Sequence, residues 1–357
     1  MLRQVAQGFF LVLFFAFTGI AANAAPFAAL VMDARTGEVL YARNADPRLH
    51  PASLTKMMTL YITFEAISRG EISLDTMVTV SKRAAAEPPS KLGLKAGQKI
   101  ALRYLIRAAA VKSANDAATA LGEAIEGSEA KFARRMNKTA KALGMSRTTF
   151  KNAHGLTESG HLSTARDMTN LGRHLFFDYP QYYNLFSRRS TDAGMKSVSN
   201  TNRKFLAAYR GADGIKTGYT QAAGFNLVAS AQRGQERVIA TVFGGRSTAA
   251  RNEKVAELLD LGFSKAPTHV AVRKPDAPHY NDKPAVKALQ VAAVATSPRP
   301  EPRRARSEDE ADQLQKAIAV AVSVAEAEAD GEIETEVEAV AVAEVDVDDV
   351  VIADAND

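Results

Sequence analysis

The chain of 357 residues contains no cysteine, which excludes a disulfide framework and any mechanism that uses a thiol nucleophile. Its six histidines are scattered, and none forms an i, i+4 pair beside a carboxylate, so the pattern of a zinc hydrolase is missing. Beyond the N-terminal segment, no apolar run is long enough to cross a bilayer. We therefore expect no metal and no cofactor.

The N-terminal segment, residues 1–24, predicts a secretory signal peptide. Arg3 supplies the positive end, residues 9–20 form a short apolar stretch, and the small residues from Ala22 to Ala24 suit a cleavage site. The apolar stretch is too short for a membrane span and no stop-transfer pattern follows it, although an uncleaved anchor is the alternative. The expected location is the periplasm.

The formal net charge of +5 is distributed unevenly along the chain. Residues 25–265 carry +15, whereas residues 266–357 carry −11. A basic body suits an anionic partner, and the export signal argues against nucleic acid. The expected partner surface is therefore cell wall or lipid head groups, with a peripheral contact at most. The alternative is a surface charge that serves only solubility.

The hydrophobic pattern predicts one α+β domain over residues 25–265, because strands occur at both sequence ends and helices between them. The first and last segments are expected to share an antiparallel sheet, on which the closing helix packs. The predicted elements are a β-hairpin over 27–44, helices over 53–70, 100–125 and 130–144, strands over 224–233 and 237–245, and a closing helix over 251–263.

The composition changes after residue 265. Seven of the thirteen prolines fall between residues 267 and 302, and Tyr280 is the single aromatic residue among the last 94. From residue 317 onward there are thirteen acidic residues and no basic one. Such a segment buries too little apolar surface to offset chain entropy. Residues 266–357 are thus predicted to be a proline-rich, then acidic low-complexity tail, mostly disordered, with a helix near 308–328.

The stretch HPASLTKMMT places Ser53 and Lys56 three residues apart at the start of a predicted helix. Residues at this spacing share a helix face, so the lysine amine can reach the serine hydroxyl. A lysine whose pKa is lowered by burial or by a neighbouring cation can remove the serine proton. The same spacing recurs at Ser128 and Lys131, so the spacing alone fits an ordinary capped first turn equally well.

Two further motifs have the same ambiguity when each is taken alone. Ser113 and Asn115 lie in the apolar stretch VKSANDAATA, where polar side chains are either satisfied or functional. Lys216, Thr217 and Gly218 precede a predicted strand and could line a cleft with positive charge, a hydroxyl donor and room for a substrate backbone. The alternative for Ser113 and Asn115 is a polar loop between two helices, and the alternative for Lys216 to Gly218 is the beginning of an ordinary strand.

The three motifs, in this order, resemble those of the penicillin-recognising serine enzymes. Those enzymes carry an SxxK motif that contains the nucleophilic serine, an SxN-type motif and a KTG motif. The sequence around these motifs, including FKNAHGLTESGHLSTARDM and RNEKVAELLDLGF, is similar to that of the low-molecular-weight penicillin-binding proteins, the serine D-alanyl-D-alanine carboxypeptidases. The resemblance covers about residues 27–265. It implies the transpeptidase fold shared with serine β-lactamases, an antiparallel sheet flanked by helices with a helical subdomain.

The resemblance also implies the site. Ser53 corresponds to the acylated nucleophile, Lys56 to its general base and Ser113 to a proton relay, with an oxyanion hole made by the backbone N–H groups of Ser53 and Tyr219. The residues that correspond to substrate contacts are Asn115, Lys216, Thr217, Gly218, Tyr219, Arg251 and His154.

The activity implied is removal of the terminal D-alanine from peptidoglycan stem pentapeptides, with β-lactams as acylating inhibitors. An endopeptidase that cuts cross-links at the same site and a non-catalytic wall-binding protein remain as alternatives. A β-lactamase is disfavoured, because no glutamate stands in the setting that deacylates those enzymes. The family's β-rich second domain and amphipathic anchoring helix have no counterpart in the tail, so membrane anchoring is not expected.

Overall fold

The computed structural model describes residues 25–280. The predicted signal peptide, the predicted helix near 308–328 and the rest of the tail beyond residue 280 lie outside the described residues. Within residues 25–280, no helix combines the length and the apolar character that a bilayer crossing requires.

The described chain begins with two strands, continues through a mainly helical middle part, and ends with three long strands and a closing helix. The strands are β1 (Ala28–Asp33), β2 (Val39–Arg43), β3 (Met77–Thr79), β4 (Lys99–Ala101), β5 (Ser190–Asp192), β6 (Ser197–Ser199), β7 (Ala212–Thr220), β8 (Gly224–Arg233) and β9 (Glu236–Gly245). The helices are α1 (Lys56–Ser68), α2 (Lys82–Ala86), α3 (Leu102–Arg107), α4 (Asn115–Glu126), α5 (Glu129–Ala142), α6 (Ala165–Asp178), α7 (Pro180–Tyr183), α8 (Arg203–Ala208) and α9 (Thr248–Lys265).

The central sheet has five antiparallel strands in the order β2-β1-β9-β8-β7. Strand β1 pairs with β9, so the first and last segments share one sheet, as the sequence predicts. Two short hairpins, β3-β4 and β5-β6, form separate two-stranded sheets. Strand β7 lies at an edge of the central sheet, which leaves one side of it open to a ligand.

Each face of the central sheet is buried by helices, and the side chains alternate between the two faces as strand geometry requires. In β1, Leu30 joins the large core beneath α1 and α6, whereas Val31 joins a smaller core beneath α9. Helix α9 approaches closely at Gly262, where a Cβ would lie only 2.5 Å from a Val238 methyl group. The predicted α+β architecture, with a closing helix packed on the sheet, is confirmed.

The expected helix over residues 100–125 is interrupted, and this part of the prediction is wrong. A short strand precedes α3, a π-helical turn spans Ala108–Lys112, and Ser113 adopts a left-handed conformation with φ 63° and ψ 34° before α4 begins. The alanine-rich sequence fits a helix on both sides of the break, so periodicity could not reveal it. The break matters because it turns Ser113 out of a helix and into the cleft.

Between the end of α9 and residue 280, the last residue that the structure describes, the chain forms no helix or strand, but residues 267–280, the C-terminal strap, contact the domain. The Arg35 guanidinium donates to the carbonyls of Pro267 at 2.5 Å and Thr268 at 3.3 Å. At the far end, the Tyr280 hydroxyl donates to Glu65 at 2.7 Å, and the Arg69 guanidinium lies over its ring. The strap thus belongs to the packed surface of the domain.

Candidate active site

The turn that carries Ser53 is a 3₁₀ turn, Ala52–Thr55, which runs directly into α1. Ala52 has φ 49°, a left-handed conformation that costs a residue with a Cβ about 1–2 kcal/mol. The Asn226 amide of β8 donates to the carbonyls of His50 at 3.1 Å and Pro51 at 3.2 Å. These bonds tie the turn to the sheet and leave the Ser53 side chain partly exposed.

Lys56 is fully buried and has three oxygen partners. Its Nζ lies 2.7 Å from Asn115 Oδ1, 2.7 Å from the His154 carbonyl oxygen and 3.1 Å from Ser53 Oγ. Burial lowers the pKa of Lys56 well below its ordinary value, and the nearby Lys216 charge lowers it further, against the opposing influence of Glu87 and Asp116. A lysine in this environment can be neutral near pH 7.

Ser128 and Lys131, the pair with the same spacing, have a different structural role. Ser128 is the N-cap of α5, and its hydroxyl accepts a hydrogen bond from the Lys131 backbone N–H at 3.4 Å. Lys131 is exposed, whereas Lys56 is buried. Ser53 makes no such side-chain cap. The two pairs are therefore distinguished by burial and by the partner of the serine, and not by spacing.

Ser113 and Lys216 meet across the cleft. Lys216 Nζ donates to Ser113 Oγ at 2.8 Å and to the Thr217 carbonyl at 3.0 Å. Burial lowers the pKa of Lys216 to about 7, and the Arg251 charge contributes to the shift. The left-handed backbone at Ser113 is what aims its hydroxyl at this lysine rather than along a helix.

Asn115 joins Lys56 to the segment that precedes α3. Its Oδ1 accepts from Lys56, while its Nδ2 donates to the Pro88 carbonyl at 2.8 Å and its backbone N–H donates to the Ser90 carbonyl at 2.7 Å. The adjacent Asp116 carboxylate accepts hydrogen bonds from the backbone N–H groups of residues 92, 93 and 94. The polar residues of this motif thus hold one wall of the cleft.

Strand β7 presents Thr217, Gly218 and Tyr219 along the open edge of the sheet. Thr217 is buried and shares a hydrogen bond of 2.7 Å between its hydroxyl and that of Thr201. Tyr219 is 56% exposed and lies against the Phe225 ring. A Cβ at Gly218 would lie 2.9 Å from the Pro51 carbonyl oxygen and 3.1 Å from the Ser53 nitrogen. Gly218 therefore makes room first for the turn that carries Ser53.

Arg251 and His154 are both buried beside this constellation. The Arg251 guanidinium donates to the Asn226 carbonyl and to Asn252 Oδ1, so its contacts are with the protein. His154 reaches Lys56 through its backbone carbonyl, while its side chain is 6% exposed and faces Glu87 and Glu129. The structure brings both residues to the site but turns neither side chain toward open space at Ser53.

Four further contributors have no motif that marks them in the sequence. Thr201 partners Thr217, Asn226 holds the Ser53 turn, and the Glu87 and Glu129 carboxylates surround His154. All of them lie far from Ser53 in sequence and come near it only through the fold. In the part of the chain that the structure describes, Glu87, Glu129 and His154 also form one group with the donor atoms and spacing of a metal site.

Comparisons with known proteins identify the family of the chain. The family described as peptidase S11, D-alanyl-D-alanine carboxypeptidase, matches residues 17–247. The carboxypeptidase DacF of Bacillus subtilis is 41% identical over 68% of this chain and 63% of its own length. The carboxypeptidase DacC of Escherichia coli is 38% identical over 78% of this chain and 72% of its own.

A solved structure is also similar. Penicillin-binding protein D2 of Listeria monocytogenes, in its ampicillin-bound form, has a TM-score of 0.59 and 33% identity, covering 66% of this chain and 96% of that one. The resemblance inferred from the motifs is thereby confirmed, together with the penicillin-binding protein fold. On the extent of the family match and the identity to its curated members, the chain belongs to the peptidase S11 family of D-alanyl-D-alanine carboxypeptidases.

Proposed function

We propose that the protein is an exported serine peptidase that removes the terminal D-alanine of peptidoglycan stem pentapeptides through an acyl-enzyme on Ser53. The observation that carries the proposal is the set of partners of Lys56. A neutral amine has two N–H donors and one lone pair. Asn115 Oδ1 and the His154 carbonyl can only accept, so they take both donors, and the lone pair is left for the Ser53 hydroxyl. This is the arrangement of a general base.

In the acylation step, the Ser53 oxygen attacks the carbonyl carbon of the penultimate D-alanine, and its proton passes to Lys56. The backbone N–H groups of Ser53 and Tyr219 stabilise the developing oxyanion. The C–N bond then breaks as the proton held by Lys56 passes through Ser113, whose hydroxyl contacts Lys216, to the departing D-alanine amine, and Lys56 becomes neutral again. Water hydrolyses the resulting ester and returns free Ser53.

Substrate recognition is assigned to the open edge of β7 and to Asn115. A peptide laid along the edge strand would extend the sheet, with its terminal carboxylate near Lys216 and Thr217. The basic body, residues 25–265 with a net charge of +15, suits an anionic wall, and the sequence of residues 1–24 suits export to the periplasm. β-lactams, which occupy the Listeria relative, are expected to acylate the same serine.

The test compares Ser53→Ala with Ser128→Ala, the serine with the same spacing to a lysine. Fluorescent penicillin should label wild type and Ser128→Ala in a one-to-one ratio and should not label Ser53→Ala. Ser128→Ala removes an N-cap and should lower the free energy of unfolding by about 1 kcal/mol without affecting labelling. Stoichiometric labelling of Ser53→Ala would refute the assignment of the nucleophile.

Mass spectrometry of muropeptides distinguishes the substrates. After incubation with the protein, pentapeptide-containing muropeptides should lose one alanine. Cleavage of cross-linked dimers in place of this loss would indicate the endopeptidase alternative. Absence of both reactions together with absence of labelling would indicate a wall-binding protein without activity.

A further inference from the structure

Glu87, Glu129 and His154 form a buried group, the Glu–His–Glu cluster, beneath Lys56. His154 Nε2 lies 3.4 Å from Glu87 Oε2 and 3.4 Å from Glu129 Oε1. Glu87 follows α2, Glu129 begins α5, and His154 lies in the loop between α5 and α6, so three segments meet here. The relative exposures are 8%, 3% and 6%. A buried pair of carboxylates beside one imidazole requires an explanation.

The spacing alone would fit a metal ion. A tetrahedral zinc with bonds of about 2.1 Å separates its ligand atoms by about 3.4 Å. The other ring nitrogen argues against this occupant. The Leu156 backbone N–H donates to His154 Nδ1 at 3.1 Å, so Nδ1 is an acceptor and the neutral ring carries its proton on Nε2. A zinc ligand would need the Nε2 lone pair and would donate from Nδ1. The ring is therefore a donor that both carboxylates share.

The carboxylates have other partners that fix their positions. The Thr119 hydroxyl donates to Glu87 at 3.0 Å, and Arg83 forms a salt bridge with Glu129. Burial alone would raise the pKa of Glu87, but the contacts with His154 and Thr119 outweigh it and lower that pKa. Glu87 is thus a carboxylate at neutral pH.

The backbone on which His154 stands is held from both sides. The Ala153 N–H donates to Glu129 at 3.2 Å, and the Ala153 carbonyl accepts from the Thr59 hydroxyl at 2.6 Å. The ring is held by the two carboxylates and, at Nδ1, by Leu156, and the peptide carbonyl of His154 points toward Lys56. The carbonyl oxygen lies 2.7 Å from Lys56 Nζ.

We propose that the Glu–His–Glu cluster is a positioning device for the general base. It fixes the His154 carbonyl against Lys56, and the carbonyl in turn occupies one N–H of the amine so that the lone pair faces Ser53. Glu87, Glu129 and the His154 side chain are positioning residues, because they act through the carbonyl and touch no reacting atom. The inference rests on the proposed function and adds the Glu–His–Glu cluster to the Ser53–Lys56 pair as the group that orients the base.

The pH profile separates the direct charge effect of Glu87 on Lys56 from the effect that the cluster exerts through the His154 carbonyl, which the acylation constant measures. The carboxylate of Glu87 raises the pKa of Lys56 against the effect of burial, so its loss lets that pKa fall further. Acylation requires neutral Lys56, so the rate rises with pH through this pKa, and the rise moves to lower pH when Glu87 is neutralised. The other charged or titratable groups beside Lys56 or the cluster are Lys216 and Asp116 at Lys56, Arg83 at Glu129 and His161 near His154.

The experiment measures fluorescent penicillin acylation against penicillin concentration, which separates non-covalent affinity from the first-order acylation constant. His154→Ala should lower the acylation constant roughly 10- to 100-fold, the effect of a misplacement of about 1 Å, with affinity changed less than about twofold. Glu87→Gln and Glu129→Gln keep the side-chain shape and should show smaller losses. Glu87→Gln should also shift the pH profile toward lower pH. These two variants retain the test if His154→Ala does not fold.

The matched control is His174→Ala. His174 is also buried beside a carboxylate, with Nδ1 2.9 Å from Asp178, but it lies on α6 away from Lys56. Its substitution should lower stability and leave the acylation constant unchanged. Wild-type constants and pH profile in all three cluster variants would overturn the inference. A wild-type rate that falls with EDTA and returns with zinc would overturn it in favour of a metal site. Failure of wild type to be acylated would overturn the proposed function as well.

Discussion

Gly155 offers a direct test of how tightly the turn that carries Ser53 is supported from behind. It is buried with φ 88°, and a Cβ there would lie 1.9 Å from the Ala52 carbonyl oxygen and 2.8 Å from the Thr55 hydroxyl oxygen. The first of these atoms is backbone and cannot rotate away. Gly155→Ala must therefore push Ala52, and Ser53 with it, or move the loop that carries His154.

Gly160→Ala is the matched control, because Gly160 has φ 78° in the same loop but is exposed, with only the flexible end of Lys151 nearby at 3.4 Å. The left-handed penalty of about 1–2 kcal/mol and the entropy effect on the unfolded chain apply to both variants. Their difference isolates the steric conflict, which for a packed interior is about 1–3 kcal/mol and more when backbone must move.

Denaturant unfolding measures the stability difference, and the acylation constant with fluorescent penicillin measures the displacement. We expect Gly155→Ala to be less stable than Gly160→Ala by at least about 1–3 kcal/mol and to acylate roughly 100-fold more slowly. Equal stability of the two variants together with wild-type acylation by both would refute the close packing of the loop behind Ser53.

Three further predictions concern Lys56, Lys216 and the C-terminal strap. Lys56→Arg keeps the charge but cannot accept a proton, so the acylation constant should fall by several orders of magnitude, and a value within tenfold of wild type would mean that the lysine acts only through its charge. Because the pKa of Lys216 is about 7, its charge is lost as pH rises above about 7. The affinity for a carboxylate-bearing penicillin should weaken over that range, and Lys216→Arg should remove the dependence; a pH-independent wild-type affinity would contradict this. A chain ending at residue 266 should have a free energy of unfolding about 1–3 kcal/mol lower than that of a chain ending at residue 280. The shorter chain loses the two carbonyls that accept from Arg35 and the hydrogen bond between Tyr280 and Glu65. Equal denaturation midpoints would show that the strap contributes nothing.

The sequence predicted four of the five strands of the central sheet, because alternating and apolar runs leave local signals, but it placed Lys216, Thr217 and Gly218 before a strand, whereas they lie within β7. Alternating and apolar runs marked β1, β8 and β9, and helical spacing marked α1 and α9. The motif residues Lys56, Asn115 and Lys216 are polar side chains in apolar stretches, and the structure brings them together. Burial of this kind is visible in a sequence because a charged residue on an apolar face needs a partner.

The sequence could not predict the contacts between residues that lie far apart along the chain. Glu87 and Glu129 look like ordinary surface carboxylates near helix ends, and Asn226 like one polar residue in a strand. Each acquires its role from a partner that lies 25 to 176 residues away. The interruption at Ser113 was missed for a related reason, because a single left-handed residue leaves no periodic signal in an alanine-rich segment.

The strained backbone at Ala52 explains why so many of these contacts converge on one turn. A left-handed alanine persists only where its surroundings over-determine it. The Asn226 amide donates to the Pro51 carbonyl, just before Ala52, and Gly155 packs against the carbonyl of Ala52 itself. Gly218 lets the edge strand approach the Ser53 nitrogen so closely that a Cβ would lie 3.1 Å from it. Two of the three supports work by lacking a side chain. The glycine of the KTG motif, expected from the sequence to leave room for substrate, thus also sets the distance between the edge strand and the nucleophile. A larger residue there would separate the two N–H groups proposed to form the oxyanion hole.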